Sequence, residues 1–61
     1  MTLPPGQVMR FHGPQKHVRV AQALAEFGSC CEVIDDGAVR FTVATELRLV
    51  TAADEAIGEA R

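Results

Sequence analysis

Between residues 31 and 49, Cys31, Val33, Val39, Phe41, Val43, Leu47 and Leu49 all fall on odd positions. Arg40, Thr42, Glu46 and Arg48 fall between the later ones. Period-two alternation is the pattern of a β-strand with one face in a core. Asp35-Asp36-Gly37 interrupts it, and two hairpins can be built there. A two-residue loop at Asp36-Gly37 pairs Ile34 with Val39 and sets Glu32 against Phe41. A three-residue loop pairs Val33 with Val39 and Cys31 with Phe41, and it puts Gly37 at the left-handed position such a loop needs. The second register matches apolar with apolar and is the one predicted.

Upstream, Gln7 to His12 reads as a first strand, with Met9 and Phe11 on one face and Val8, Arg10 and His12 on the other. Gly13-Pro14 then opens a helix, with Pro14 suited to its first position. This helix is predicted to run to Phe27, with Gly28 as its left-handed cap. Val20, Ala23, Leu24 and Phe27 share one face with Ala21 at its edge, opposite Gln15, Arg19, Gln22 and Glu26. Residues 1–6 contain Pro4-Pro5-Gly6 and are predicted as a flexible arm, which leaves 7–61 as a single small domain.

Past Val43 the pattern supports two readings. Leu47, Val50, Ala53, Ile57 and Ala60 recur at helical steps, which suits one helix over residues 45–60. The odd-position alternation suits a strand through Leu49, followed by a short helix with Thr51 as N-cap and Asp54 and Glu55 in its first turn. The strand reading is preferred. Ala44-Thr45-Glu46 lacks turn formers, so a bend or a change of strand partner is expected there in place of a tight reversal. The predicted fold is α+β: a small helix-on-antiparallel-sheet sandwich of order β-α-β-β-(β)-α, half of a ferredoxin-like domain or similar.

That order, with the segment FHGPQKHVRVAQALAEFG at residues 11–28, resembles in layout the small ferredoxin-like heavy-metal-binding domains. Those domains carry Cys-x-x-Cys in the loop where this chain has Gly13-Pro14-Gln15-Lys16. The resemblance is one of layout and implies no metal function here.

Length and charge narrow the picture further. A chain of 61 residues is small enough to bury only about 60% of the surface it exposes unfolded, so association is an expected aid to stability. The N-terminus lacks a signal-peptide pattern and no apolar run reaches membrane-spanning length, so a soluble, cytoplasmic protein with no membrane partner is expected. Free thiols fit that compartment. Net charge is −2, but Arg10, Lys16 and Arg19 are the only charged side chains before Glu26, while all eight acids lie from Glu26 onward. The chain is electrically two-ended.

Candidate chemistry is sparse. Cys30 and Cys31 are neighbours on a predicted strand and so point to opposite faces, Cys31 inward as a small apolar group and Cys30 outward. With His12 and His17 they match no common zinc spacing, and His17, near the start of the helix on its apolar side, is read as a partly buried histidine bonded to backbone. Ser29 is the sole serine and has no nucleophile context, Asp35-Asp36 reads as turn chemistry, and no Gly-rich phosphate loop occurs. No catalytic residue, cofactor or metal is assigned. With only three Phe and no Tyr or Trp, a base-stacking platform is also lacking.

The sequence therefore suggests a non-catalytic protein-interaction module, such as a small adaptor, regulatory subunit or phage- or mobile-element-type inhibitor. It would form a homodimer or dock on a larger macromolecule. Its expected contact surfaces are an open strand edge and a face carrying Arg40, Thr42 and Arg48. The first alternative is a nucleic-acid-binding regulator using the cluster Arg10, Lys16 and Arg19. The second is a thiol- or metal-dependent protein using Cys30, Cys31, His12 and His17.

Overall fold

The computed structural model describes residues 1–59, with nothing said of the Glu59 side chain; Ala60, counted above in the helical repeat, lies outside them. The elements are β1 (Thr2–Leu3), β2 (Val8–Arg10), α1 (Lys16–Glu26), β3 (Cys31–Asp35), β4 (Ala38–Phe41), β5 (Thr45–Glu46) and α2 (Leu47–Glu59). Three strands form an antiparallel sheet in the order β2-β4-β3, and β1 pairs with β5 in a second, two-stranded one. Because β2 and β3 both run antiparallel to β4, they are parallel to each other, and α1 is the crossover joining them. This is a split β-α-β unit, the expected mixed α+β arrangement.

The hairpin has the predicted register: Val33 opposes Val39 and Cys31 opposes Phe41. Its closure combines both loops considered from the sequence. Asp35 pairs with Ala38, leaving a two-residue turn at Asp36-Gly37, and a bulge between Val33 and Asp35 takes up Ile34. One extra residue on β3 thus restores the apolar register that a plain two-residue loop would lose. Gly37 has φ of +87°, the conformation expected of it.

Helix α1 ends as its sequence indicates. The Gly28 amide donates to the Ala25 carbonyl and the Ser29 amide to the Leu24 carbonyl, with Gly28 at φ +81°, which together make a Schellman motif. Its start differs from the prediction. Pro14 precedes the helix, and Gln15 is the N-cap at φ 54° with no side-chain capping bond. The Lys16 amide donates to the Gly13 carbonyl, so Gly13 to Lys16 forms a turn with proline second and a left-handed residue third. Phe27 also departs from expectation. It is the C-cap, outside the regular helix, and the residue is 56% exposed instead of in the core.

The preferred strand reading of residues 45–49 is corrected by the structure. Only Thr45 and Glu46 are extended, and they pair with β1, not with the main sheet. The chain then winds into α2, so Thr51, Asp54 and Glu55 lie within the helix and Thr51 caps nothing. Burial explains the choice. As a helix the segment turns Val50 (3% exposed) and Ala53 into a cluster with Val20, Leu24 and Phe41, while Leu49 sits at its margin. Residues 1–6, expected as an arm, contain β1, and Leu3 packs against the same cluster. The Leu47 amide donates to the Met1 carbonyl and the Gly6 amide to the Phe41 carbonyl, so this stretch is bonded to the rest of the fold near both ends.

Candidate functional site

The basic residues singled out from the sequence do not form one surface. Arg10 and Ala38 are paired across the sheet, and Ala38 is also opposite Asp35, so the three make a row. Ala38 is fully buried, and the Arg10 guanidinium and Asp35 carboxylate meet at 3.4 Å. The next row is Val8, Arg40 and Glu32, with Arg40 donating to Glu32 at 3.2 Å. Arg48 is not on a sheet at all. It stands in the first turn of α2 and donates to Glu46 at 2.6 Å. Thr42 is exposed just beyond β4, where its amide donates to the Cys30 carbonyl. The expected Arg40–Thr42–Arg48 face is thus spread over a sheet and a helix, with both arginines already holding acids.

Asp35 carries the clearest electrostatic signature. It accepts the Asp36 amide at 2.8 Å, and this bond, followed by the Arg10 hydrogen bond and charge, holds its carboxyl below the usual aspartate range. Cys31 moves the other way. Half-buried, with its thiol directed at the Ala21 carbonyl, it is pushed above the ordinary thiol range by burial and then by Cys30. Cys30 is exposed, so the two thiols divide inward and outward as the alternation requires. Among the described residues no three His, Cys, Asp or Glu side chains gather to hold a metal ion. His17 is only 6% exposed and its Nδ1 has no partner, so the backbone bond expected for it is not made at that nitrogen.

Two surfaces stand out. The first is the free edge of β3, since the strand order leaves it bonded to β4 alone. Val33 is 48% exposed and Ile34 37%, and Phe27 lies shortly before them in the chain. The sequence marked an open edge but not these side chains. The alternation places Val33 on the inner side of the hairpin, but its position on an outer strand leaves it half uncovered. The other outer strand, β2, is three residues long, follows Pro4-Pro5-Gly6 and carries Arg10, all features that blunt an edge.

The second is a cleft of about 190 Å³ between the start of α1 and the end of α2, lined by His12, Gly13, Pro14, Lys16, Arg19, Ile57 and Gly58. Lys16 and Arg19 both line it, while Arg10 is drawn off to Asp35. Lys16 reaches across to Asp54 on α2 at 2.8 Å.

Comparison with protein-family models, with curated proteins and with solved structures finds no match, so the functional reading rests on geometry. No helix among the described residues is long and apolar enough to cross a membrane.

Proposed function

We propose that the protein is a non-catalytic interaction module that docks through the open edge of β3 by strand addition, with a second copy of the chain as its partner. The observation that carries this reading is the edge itself, a five-residue strand bonded on one side only and bearing half-exposed Val33 and Ile34. Unpaired edges with exposed apolar side chains are templates for another strand. Acids on an edge ordinarily repel a second copy, but here Glu32 and Asp35 are neutralised from within by Arg40 and Arg10. A two-fold pairing centred on Val33 sets Val33 against Val33 and Glu32 opposite Ile34, so no two acids face each other directly.

Sedimentation equilibrium tests this. Dimers are expected at tens of micromolar, and Val33→Lys is expected to give a folded monomer, while Val8→Lys on the opposite edge leaves the dimer intact. The thermal midpoint of the unaltered protein should rise with concentration, because association is linked to folding. A monomer at millimolar concentration with a concentration-independent midpoint would exclude self-pairing.

A further inference from the structure

The cleft at the start of α1 is independent of the β3 edge, and its chemistry is of another kind. Arg19 is exposed and has no acidic partner among the described residues, unlike Arg10, Arg40 and Arg48, each of which holds a carboxylate. Lys16, one turn earlier on the same helix face, is fixed by Asp54 at the cleft margin. His12 supplies a third nitrogen-bearing side chain to the lining. The first turn of α1 contains no acid, and its N-cap Gln15 makes no side-chain bond. The cleft therefore combines an unbalanced guanidinium with a positioned ammonium, beside the start of a helix whose first turn holds no acid. Ile57 and Gly58 provide an apolar opposite wall.

We propose that this cleft binds the phosphate group of a small molecule, with Arg19 as the principal ligand and Lys16 and His12 flanking it. A phosphate offers oxygens to a forked guanidinium and to a neighbouring ammonium at once, which a single carboxylate does less completely. The volume of about 190 Å³ lies below the roughly 300–1,000 Å³ of pockets that enclose drug-sized ligands, so the occupant is a phosphate on a short carbon body. An extended nucleic-acid backbone would need a row of free cations, and the other described arginines are already paired.

Proton–nitrogen correlation spectra of the intact protein, titrated with inorganic phosphate at constant ionic strength set by sodium chloride, test the proposal. Saturating shifts are expected at His12, Gly13, Lys16, Arg19 and Gly58. Arg19→Gln should weaken binding by roughly tenfold or more, as for loss of a charge-assisted hydrogen bond. Arg48→Gln should bind as the unaltered protein does. Non-saturating shifts, shifts shared equally by the surroundings of Arg10 and Arg40, or unchanged binding in Arg19→Gln would each overturn it. Acetate binding more tightly than phosphate would overturn the ligand class. A short single-stranded oligonucleotide is expected to bind no tighter than free phosphate; much tighter binding would assign the cleft to a nucleic-acid backbone instead.

Discussion

The two faces of the three-stranded sheet are built from the same strands and held by different physics. On the inner face Met9, Cys31, Val39 and Phe41 lie beneath the helices, and Phe41 joins the cluster formed with Val20, Leu24, Val50 and Ala53. On the outer face Arg10, Ala38 and Asp35 form one row and Val8, Arg40 and Glu32 the next, with an ion pair in each. The inner face removes apolar surface from water, at about 25 cal/mol per Å². The outer face pairs charges that water already solvates, where an ion pair is worth about 0–1 kcal/mol. The outer order is as regular as the inner, yet the inner face carries the stability. What the outer face contributes is charge balance along the sheet, with Glu32 and Asp35 each held by an arginine.

The contrast is broken most directly at residues 41 and 42, adjacent in sequence. Phe41 is fully buried and Thr42 is exposed. Phe41→Ala is expected to cost ~3–5 kcal/mol, the range for a buried aromatic, and Thr42→Ala under ~1 kcal/mol. Urea unfolding measures both. A domain this small has little stability to lose, so failure of Phe41→Ala to fold beside a normal Thr42→Ala has the same meaning. Similar costs at the two positions would refute the division between faces.

A smaller effect sharpens the comparison where the core passes from sheet to helix. Val50 lies at the centre of the buried cluster, whereas Leu49 packs at its margin. Val50→Lys is expected to destabilise more than Leu49→Lys by at least ~1 kcal/mol, since a buried charge has nowhere to reach water while a marginal lysine can extend its ammonium outward. Thermal or urea unfolding of the two variants decides the order, and the reverse order would require residues 45–49 to be extended.

These positions also explain what could be read from the chain. The hairpin was legible because apolar alternation and Asp35-Asp36-Gly37 point to one register, and a slip of one residue would expose every inner side chain. The bulge at Ile34 was not, since it reconciles two loops that looked exclusive. In residues 45–57 both periods are present: Leu47 and Leu49 extend the alternation, while Leu47, Val50, Ala53 and Ile57 fit a helix. The local pattern does not separate them, and the decision comes from Val20, Leu24 and Phe41, which offer a surface that a helix covers with Val50 and Ala53. Phe27 has the right helical phase for the core, but the helix stops one residue before it. The basic residues were misgrouped for a related reason. Arg10 stands near Lys16 in sequence, yet its acid partner is Asp35, brought close only by strand pairing.

The smallest expected effect probes the outer face by itself. Asp35 has its carboxyl lowered first by the Asp36 amide and then by Arg10. A depressed folded-state value means that ionised Asp35 favours the folded chain above the ordinary aspartate range, and that this contribution is lost as pH falls through the folded value. Its pH dependence is therefore confined to acid solution, and across the neutral range the small contribution is present and constant. Carbon-detected titration of the Asp35 side chain should give a midpoint below the usual aspartate value. In Arg10→Ala the midpoint should rise but stay depressed, because the Asp36 amide remains, and unfolding at neutral pH should be nearly unchanged because both side chains are well exposed. If Arg10→Ala instead destabilised the protein at neutral pH as strongly as Val50→Lys, the outer face would be structural in the same sense as the inner one, and the distinction between them would fail.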